Sequence, residues 1–328
     1  MRPFAYLRVT SAQAAQHALA AHPHGALLAG GTNLIDLMKI GVASPPTLID
    51  IGAVPLAAVE LTPHGALRIG ALAKMSDVAD DPAVRAAAPA VARALELSAS
   101  PQLRNMATIG GNVMQRTRCV YFRDVSQPCN KRSNGAGCGA LDGDDRQMAI
   151  LGTSGRCICV HPSDLAVALL TTDATIHLRG PYGTRTTPFL GFHRLPGEDP
   201  TRDTVIGPDE LIEAISFLPV PVTRNSTYLK IRDRTSYAFA LVSIAVGLEV
   251  HDGAIRAARI GLGGVAPAPW RAQAAEAALI GRAPRRENFL AAAEAELQAA
   301  RPQRLNGFKT TLARNAIVRA LGVVGGAT

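Results

Sequence analysis

All five cysteines of this 328-residue chain, Cys119, Cys129, Cys138, Cys157 and Cys159, fall within 41 consecutive positions, and the other 287 positions carry none. They sit in a stretch, residues 101–160, that is rich in Gly, Arg and Asn and has little helical or strand periodicity. A structureless segment of that length inside a compact domain needs something to organise it. An odd number of thiols without a secretory signal argues against a disulfide framework. The N-terminal stretch is not expected to be such a signal, because Arg8, Gln13, Gln16 and His17 interrupt its apolar run. Clustering of this kind points to a metal. The spacing lacks the close Cys pairs of structural zinc sites and the short repeats of ferredoxins. Read alone, it leaves an iron–sulfur cluster, zinc and unligated thiols open. Arg116, Arg118, Arg123, Lys131 and Arg132 lie nearby and would offset the negative charge of a tetrathiolate cluster.

On either side the chain has regular patterning. Residues 26–52 read as strand, turn, helix, strand, and residues 66–73 as another strand. Ser76 is placed as the N-cap of an Ala-rich helix running to about residue 98. Ser163-Asp164 opens an apolar helix, and two strand-like runs follow it. The segment PVPVT at 219–223 is the expected domain boundary. Beyond it come strand patterns at 227–232, 240–250 and 254–263, then helical patterns at 270–281, 285–300 and 309–321. The length itself favours about two domains.

Two glycine pairs carry the next signal. The run Leu27-Leu28-Ala29-Gly30-Gly31-Thr32-Asn33-Leu34 ends a strand and opens a helix. Adjacent glycines let the backbone approach a ligand without a Cβ in the way, and the free N–H groups of the helix face the same point. The run is neither the dinucleotide G-x-G-x-x-G nor the P-loop, so those readings fail. A second such loop contains Thr108, Gly110, Gly111 and Asn112. Two loops of this composition fit one extended anionic ligand held from two sides, and a dinucleotide such as FAD suits that better than a lone phosphate. Asp164 could accept ribose or adenine hydrogen bonds, although simple helix capping explains its position equally well. Lys230 falls on a strand, where a lysine ordinarily faces solvent.

The net charge of +8 comes with no run of five like charges and no basic–aromatic alternation, so nucleic acid is not an expected partner. No segment is long and apolar enough for a membrane span.

The segments LLAGGTNLIDLMK, LRNMATIGGNVMQRTRC, PCNKRSNGAGCGALDG, AILGTSGRC, HPSDLAVAL and RDRTSYAFALVSIAV together resemble the FAD-binding subunits of the xanthine dehydrogenase/aldehyde oxidase family. The likeness is greatest to the medium subunits of bacterial heterotrimeric aldehyde oxidoreductases. It implies an α+β fold. A two-part FAD-binding domain of the vanillyl-alcohol oxidase (PCMH) type would span residues 1–218, with an iron–sulfur insertion at about 115–160. A smaller α/β C-terminal domain would span 223–328. The resemblance implies FAD contacts from residues 27–34, Thr108, Gly110, Gly111, Asn112 and Asp164, with Lys230 beside the flavin. It also implies a [4Fe–4S] cluster on Cys119, Cys129, Cys138 and Cys157. Cys159 departs from the pattern, and it is expected to point away from Cys157 and not to serve the same cluster.

The partners implied are a large molybdenum-cofactor subunit and a small subunit carrying two [2Fe–2S] clusters. Electrons would pass to FAD and then to an external acceptor. No acid–base catalytic residue is assigned here, since the cofactors carry the redox chemistry. The family also includes hydroxylases of purines and other N-heterocycles. A stand-alone flavin oxidase and a zinc-bearing interaction protein remain as rivals. The compartment expected is periplasmic, by export with a partner, or cytoplasmic.

Overall fold

The computed structural model describes residues 1–326 and places three sheets along the chain. A parallel sheet has Thr47–Asp50 between Ala5–Arg8 and Ala26–Leu28. The strand–helix–strand reading of residues 26–52 is thus realised, with Leu34–Lys39 as the crossover helix. The strand Ala5–Arg8 and the helix Ala12–Ala21, whose Ser11 cap accepts from Ala14 N, were not legible beforehand.

The second sheet is antiparallel, with Val59–Leu61, Leu67–Gly70, Leu211–Phe217, Thr175–Gly180 and Gly183–Pro188 in that order. Leu67–Gly70 and Thr175–Gly180 both pair with Leu211–Phe217, so residues 71–174 leave this sheet in one long excursion between neighbouring strands. That excursion includes both the second glycine loop and the cysteines.

The Ala-rich region is not one helix starting at Ser76. It is three, Met75–Asp80, Pro82–Ala87 and Pro89–Glu96, and the first begins after Lys74. Each proline occupies the first turn, where its missing N–H is harmless but the preceding helix must end. Asp81 caps the second helix through the N–H groups of Ala83 and Val84 at 2.8 and 3.1 Å.

The third sheet has Ser226–Ile231, Val242–His251, Ala254–Gly263 and the short Trp270–Arg271. Residue 270 therefore starts a strand and not a helix. The helices are Gln273–Leu279, Arg286–Leu297 and Phe308–Gly325, and they cover this sheet with a separate apolar core.

Ile150 and Leu151, at the end of the cysteine-bearing stretch, are buried in that C-terminal core. The segment before them is held by polar contacts from residues 305–309. Buried Asp145 accepts from Leu305 N at 2.7 Å, and Asn306 donates to the carbonyls of Met148 and Ala149. The fully buried Lys309 ammonium donates to Gln147, Met148 and Gly264 carbonyls at 2.8, 2.9 and 2.7 Å. Those three acceptors match the three N–H bonds of an ammonium group. Among the described residues, no helix is long and apolar enough to cross a membrane.

Candidate flavin cavity and cysteine pocket

A cavity of about 820 Å3 lies between the two glycine loops, the helix beginning at Asp164 and the strand carrying Lys230. Its volume falls within the range of small-molecule and cofactor sites. Thr32, Asn33, Gly111, Asn112, Asp164 and Lys230 are on its wall. Leu27, Leu28, Ala29, Gly30, Gly31, Leu34, Thr108 and Gly110 build the two loops but do not themselves line it.

The loops touch through their backbones. A Cβ on Gly30 would lie 2.0 Å from the Met106 carbonyl oxygen, so only glycine permits this approach. Gly31 follows in the left-handed region at φ +71°. Thr108 is buried, and its hydroxyl caps Ile109–Val113 by accepting from Gly111 N at 3.2 Å. Asn33 accepts from Arg116 N at 3.1 Å, while its buried side-chain amide nitrogen has no protein partner. A buried donor without a partner is costly. Asn33 is also on the wall of the cavity.

Asn112 links the second loop to the Asp164 helix. Its carbonyl oxygen accepts from Ser163 Oγ at 2.5 Å, and that same hydroxyl caps the helix by accepting from Ala166 N at 2.9 Å. Asp164 and Lys230 are brought together in an ion pair of 2.7 Å, with both side chains nearly sequestered from solvent. Lys230 thus faces inward, contrary to the usual strand lysine. Asp164 also accepts from Ser98 Oγ at 3.0 Å and from Tyr228 OH at 2.5 Å. Burial, followed by the neighbouring Asp164 carboxylate, pushes the Tyr228 pKa well up, so the phenol remains a donor. Three donors leave the carboxylate about one free lone pair for a ligand. Its main work is to hold Lys230 in place.

Sequence reasoning missed two wall residues, Tyr237 and Phe239, on the loop after Lys230. Both are exposed, and Tyr237 adopts φ +51°. Two aromatics so close together in a chain with 4% aromatic residues were the available signal. Arg118 sits over the Phe239 ring at 5.5 Å and has no carboxylate within ion-pair distance among the described residues. Arg123, by contrast, forms a two-point pair with Asp36 at 2.6 and 3.0 Å.

All five cysteines line a second, very small pocket of about 10 Å3. Cys129 and Cys138 are joined by an isolated antiparallel bridge, and Ser154 bridges Cys157 across a turn. Both Cys157 and Cys159 line this pocket, against the expectation that they point apart, because residues two positions apart in an extended run share a face. Burial pushes the Cys119 thiol up to about 12. Among the described residues, no three His, Cys, Asp or Glu side chains converge closely enough to hold a single metal ion.

The two sites are joined by the chain itself. Arg118 and Val120 line the large cavity, and Cys119 between them lines the cysteine pocket. Beside this junction His161 and His193 stack edge to face, with centroids 4.6 Å apart. His193 Nε2 donates to the Val113 carbonyl at 2.9 Å. Burial lowers the pKa of His161 and brings that of His193 down to about 4.

The unfolded His193 titrates near 6.5, so between 6.5 and 4 the unfolded chain binds the extra proton. Stability is therefore complete above about pH 6.5 and falls as pH drops toward 4, by about 3 kcal/mol for this residue. His193→Gln preserves a donor to Val113 but cannot titrate, and it is expected to flatten the dependence. Urea unfolding between pH 7 and 4.5 checks this, and unchanged slopes in the variant would refute it.

The sequence matches two family descriptions. “FAD binding domain in molybdopterin dehydrogenase” covers residues 2–221, and “CO dehydrogenase flavoprotein C-terminal domain” covers 227–324. The chain belongs to the FAD-binding medium subunits of the molybdenum hydroxylase family, and it is an oxidoreductase subunit of the aldehyde, xanthine and carbon monoxide dehydrogenase type. It is similar to the aldehyde oxidoreductase FAD-binding subunit PaoB of Escherichia coli (strain K12), with 44% identity over 322 residues and 98% of each chain covered. It is 30% identical to the carbon monoxide dehydrogenase medium chain of Hydrogenophaga pseudoflava, over 90% of this chain and 87% of that one. A solved structure of carbon monoxide dehydrogenase from that organism superposes with a TM-score of 0.77 at 27% identity, covering 99% and 98% of the two chains. The α+β architecture is shared with it.

Proposed function

We propose that this chain is the electron-transfer subunit of a molybdenum-containing aldehyde oxidoreductase, holding FAD in the large cavity and a [4Fe–4S] cluster among its cysteines. The observation that carries the reading is the junction at Cys119, where the cysteine pocket and the flavin cavity share one stretch of backbone. The similarity to PaoB supports the substrate class. Residues 1–218 would form the FAD domain and 223–328 the C-terminal domain, in keeping with family matches that meet near residue 221.

FAD fits the cavity by its chemistry. The unpartnered Asn33 amide, the close-packed Gly30 turn and Arg118 suit a pyrophosphate. Lys230, fixed by Asp164, would stand beside the flavin. When bound, FAD supplies a carrier that accepts electrons singly or in pairs. The protein's part is to orient it, with the Asp164–Lys230 pair buried and the exposed Tyr237 and Phe239 on the open side.

The donor set at the second pocket fits a soft cluster, with Cys119, Cys129, Cys138 and Cys157 as ligands. Each thiolate of a cube binds a different iron, so the four need not converge on one point. The pocket that the cysteines line is about 10 Å3, so the loop would have to open around a cube. Bound there, a cluster supplies one-electron transfer.

Electrons would arrive from a [2Fe–2S] partner subunit and a molybdenum subunit, and leave from FAD to an external acceptor. Anaerobic purification with visible and EPR spectra tests the cofactors: flavin absorbance with a reducible cluster is expected, and a colourless zinc protein rejects the reading. Rapid mixing of the isolated chain with aldehydes tests the relay. Flavin reduction at a catalytically useful rate without the partner subunits would make it a stand-alone oxidase instead.

A further inference from the structure

Lys131 lies two positions after Cys129, lines the cysteine pocket and is only 6% exposed. Its ammonium donates to the Pro200 carbonyl at 3.2 Å and pairs with Asp203. Asp203 also binds Arg116, whose Nε donates to its Oδ2 at 2.6 Å. Two buried or half-buried cations therefore share one carboxylate, which leaves an unmatched positive charge at the pocket. Arg132 adds to the excess, because its guanidinium is spent on the carbonyls of Tyr121, Phe122 and Gln127 and meets no carboxylate.

A surplus of buried positive charge is unfavourable beside neutral thiols, since burying an unpaired ion requires stripping its hydration. Beside an anionic group it is favourable, and the attraction is larger than in water. Uptake of one electron by a tetrathiolate cluster adds one negative charge, while no bond forms or breaks. A fixed cation close by stabilises the reduced form more than the oxidised one and raises the potential, and net charge is among the factors that set such potentials.

We infer that Lys131 sets the reduction potential of the cluster, with Asp203 as the carboxylate that moderates it. This rests on the cluster proposed above. Lys131 is a positioning residue by this assignment, acting on the cluster through its charge and making no bond to iron. A bland alternative exists in the same geometry: Lys131 could merely staple the 200–203 segment to the cysteine loop.

The two roles separate in a redox titration. In the full chain purified anaerobically, EPR-monitored titration reads the midpoint, and iron analysis reads occupancy. Lys131→Met is expected to keep iron and make the cluster about tenfold harder to reduce at fixed potential, a downward shift of about 59 mV for a one-electron couple. Asp203→Asn is expected to shift the midpoint upward. A staple would move neither midpoint, or would move both the same way, and either result overturns the assignment. If Lys131→Met fails to hold iron, Asp203→Asn and the charge-retaining Lys131→Arg decide: the first must rise and the second stay near the wild type. Loss of iron from both Lys131→Met and Asp203→Asn makes the pair structural and also overturns it. A wild-type chain without iron would instead reject the cluster reading itself.

Discussion

Gly30→Ala is expected to release most of the flavin and to lower stability by about 2 kcal/mol, in the range of overpacked sites. The added Cβ would stand 2.0 Å from Met106 O, 2.8 Å from Met106 C and 3.1 Å from Ala107 Cα. All three atoms are backbone, so no rotamer change relieves the contact. Met106 leads directly into the loop of Thr108 and Gly110–Asn112, so the strain is released by pushing the two glycine loops apart. That displaces Asn33 and Asn112 from opposite sides of the cavity.

Gly31 makes the useful contrast. Its Cβ would meet only Ile35 Cγ1 at 3.2 Å and Leu28 Cδ1 at 3.4 Å, both on side chains. Gly31→Ala should therefore suffer mainly from its positive φ, at about 1–2 kcal/mol, and retain more flavin. Flavin-to-protein absorbance ratios and urea unfolding check the order. A Gly30→Ala protein with full flavin would show that the cofactor does not lie between these loops.

The second large effect concerns the thiols. Cys119→Ser, Cys129→Ser, Cys138→Ser and Cys157→Ser are each expected to lose the cluster, from about four irons per chain to background. Cys159→Ser is expected to keep it. Serine is nearly isosteric with cysteine, so these changes remove the soft ligand while leaving packing close to intact. Iron close to four per chain in any of the first three variants would sink the assignment. Cys157 and Cys159 share the pocket. A reversed outcome for those two would therefore move the fourth ligand to Cys159, with the cluster otherwise unchanged.

Several features were readable from local pattern alone. The strand–turn–helix around Gly30 and the strands at 227–232 and 254–263 follow from periodicity over a few residues, which the chain expresses without help from distant segments. Boundaries were less legible. The Ala-rich helix was read through Pro82 and Pro89, although each proline forces a break, and strand Trp270–Arg271 was read as helix. A two-residue strand forms only because Ala254–Gly263 offers it an edge.

The site divides in the same way. The sequence by itself determined the chemical inventory: two glycine pairs, five clustered thiols and a basic stretch around them. It also determined where backbone could approach closely, because the lack of a Cβ is a property of the residue. Only the tertiary structure decided what meets what. It set Gly30 against Met106, turned Lys230 inward onto Asp164, and brought Lys131 to Asp203 across 72 positions. These pairings depend on packing between segments far apart in sequence, where burial makes a shared charge or a missing methyl group decisive. Local pattern holds no record of that burial.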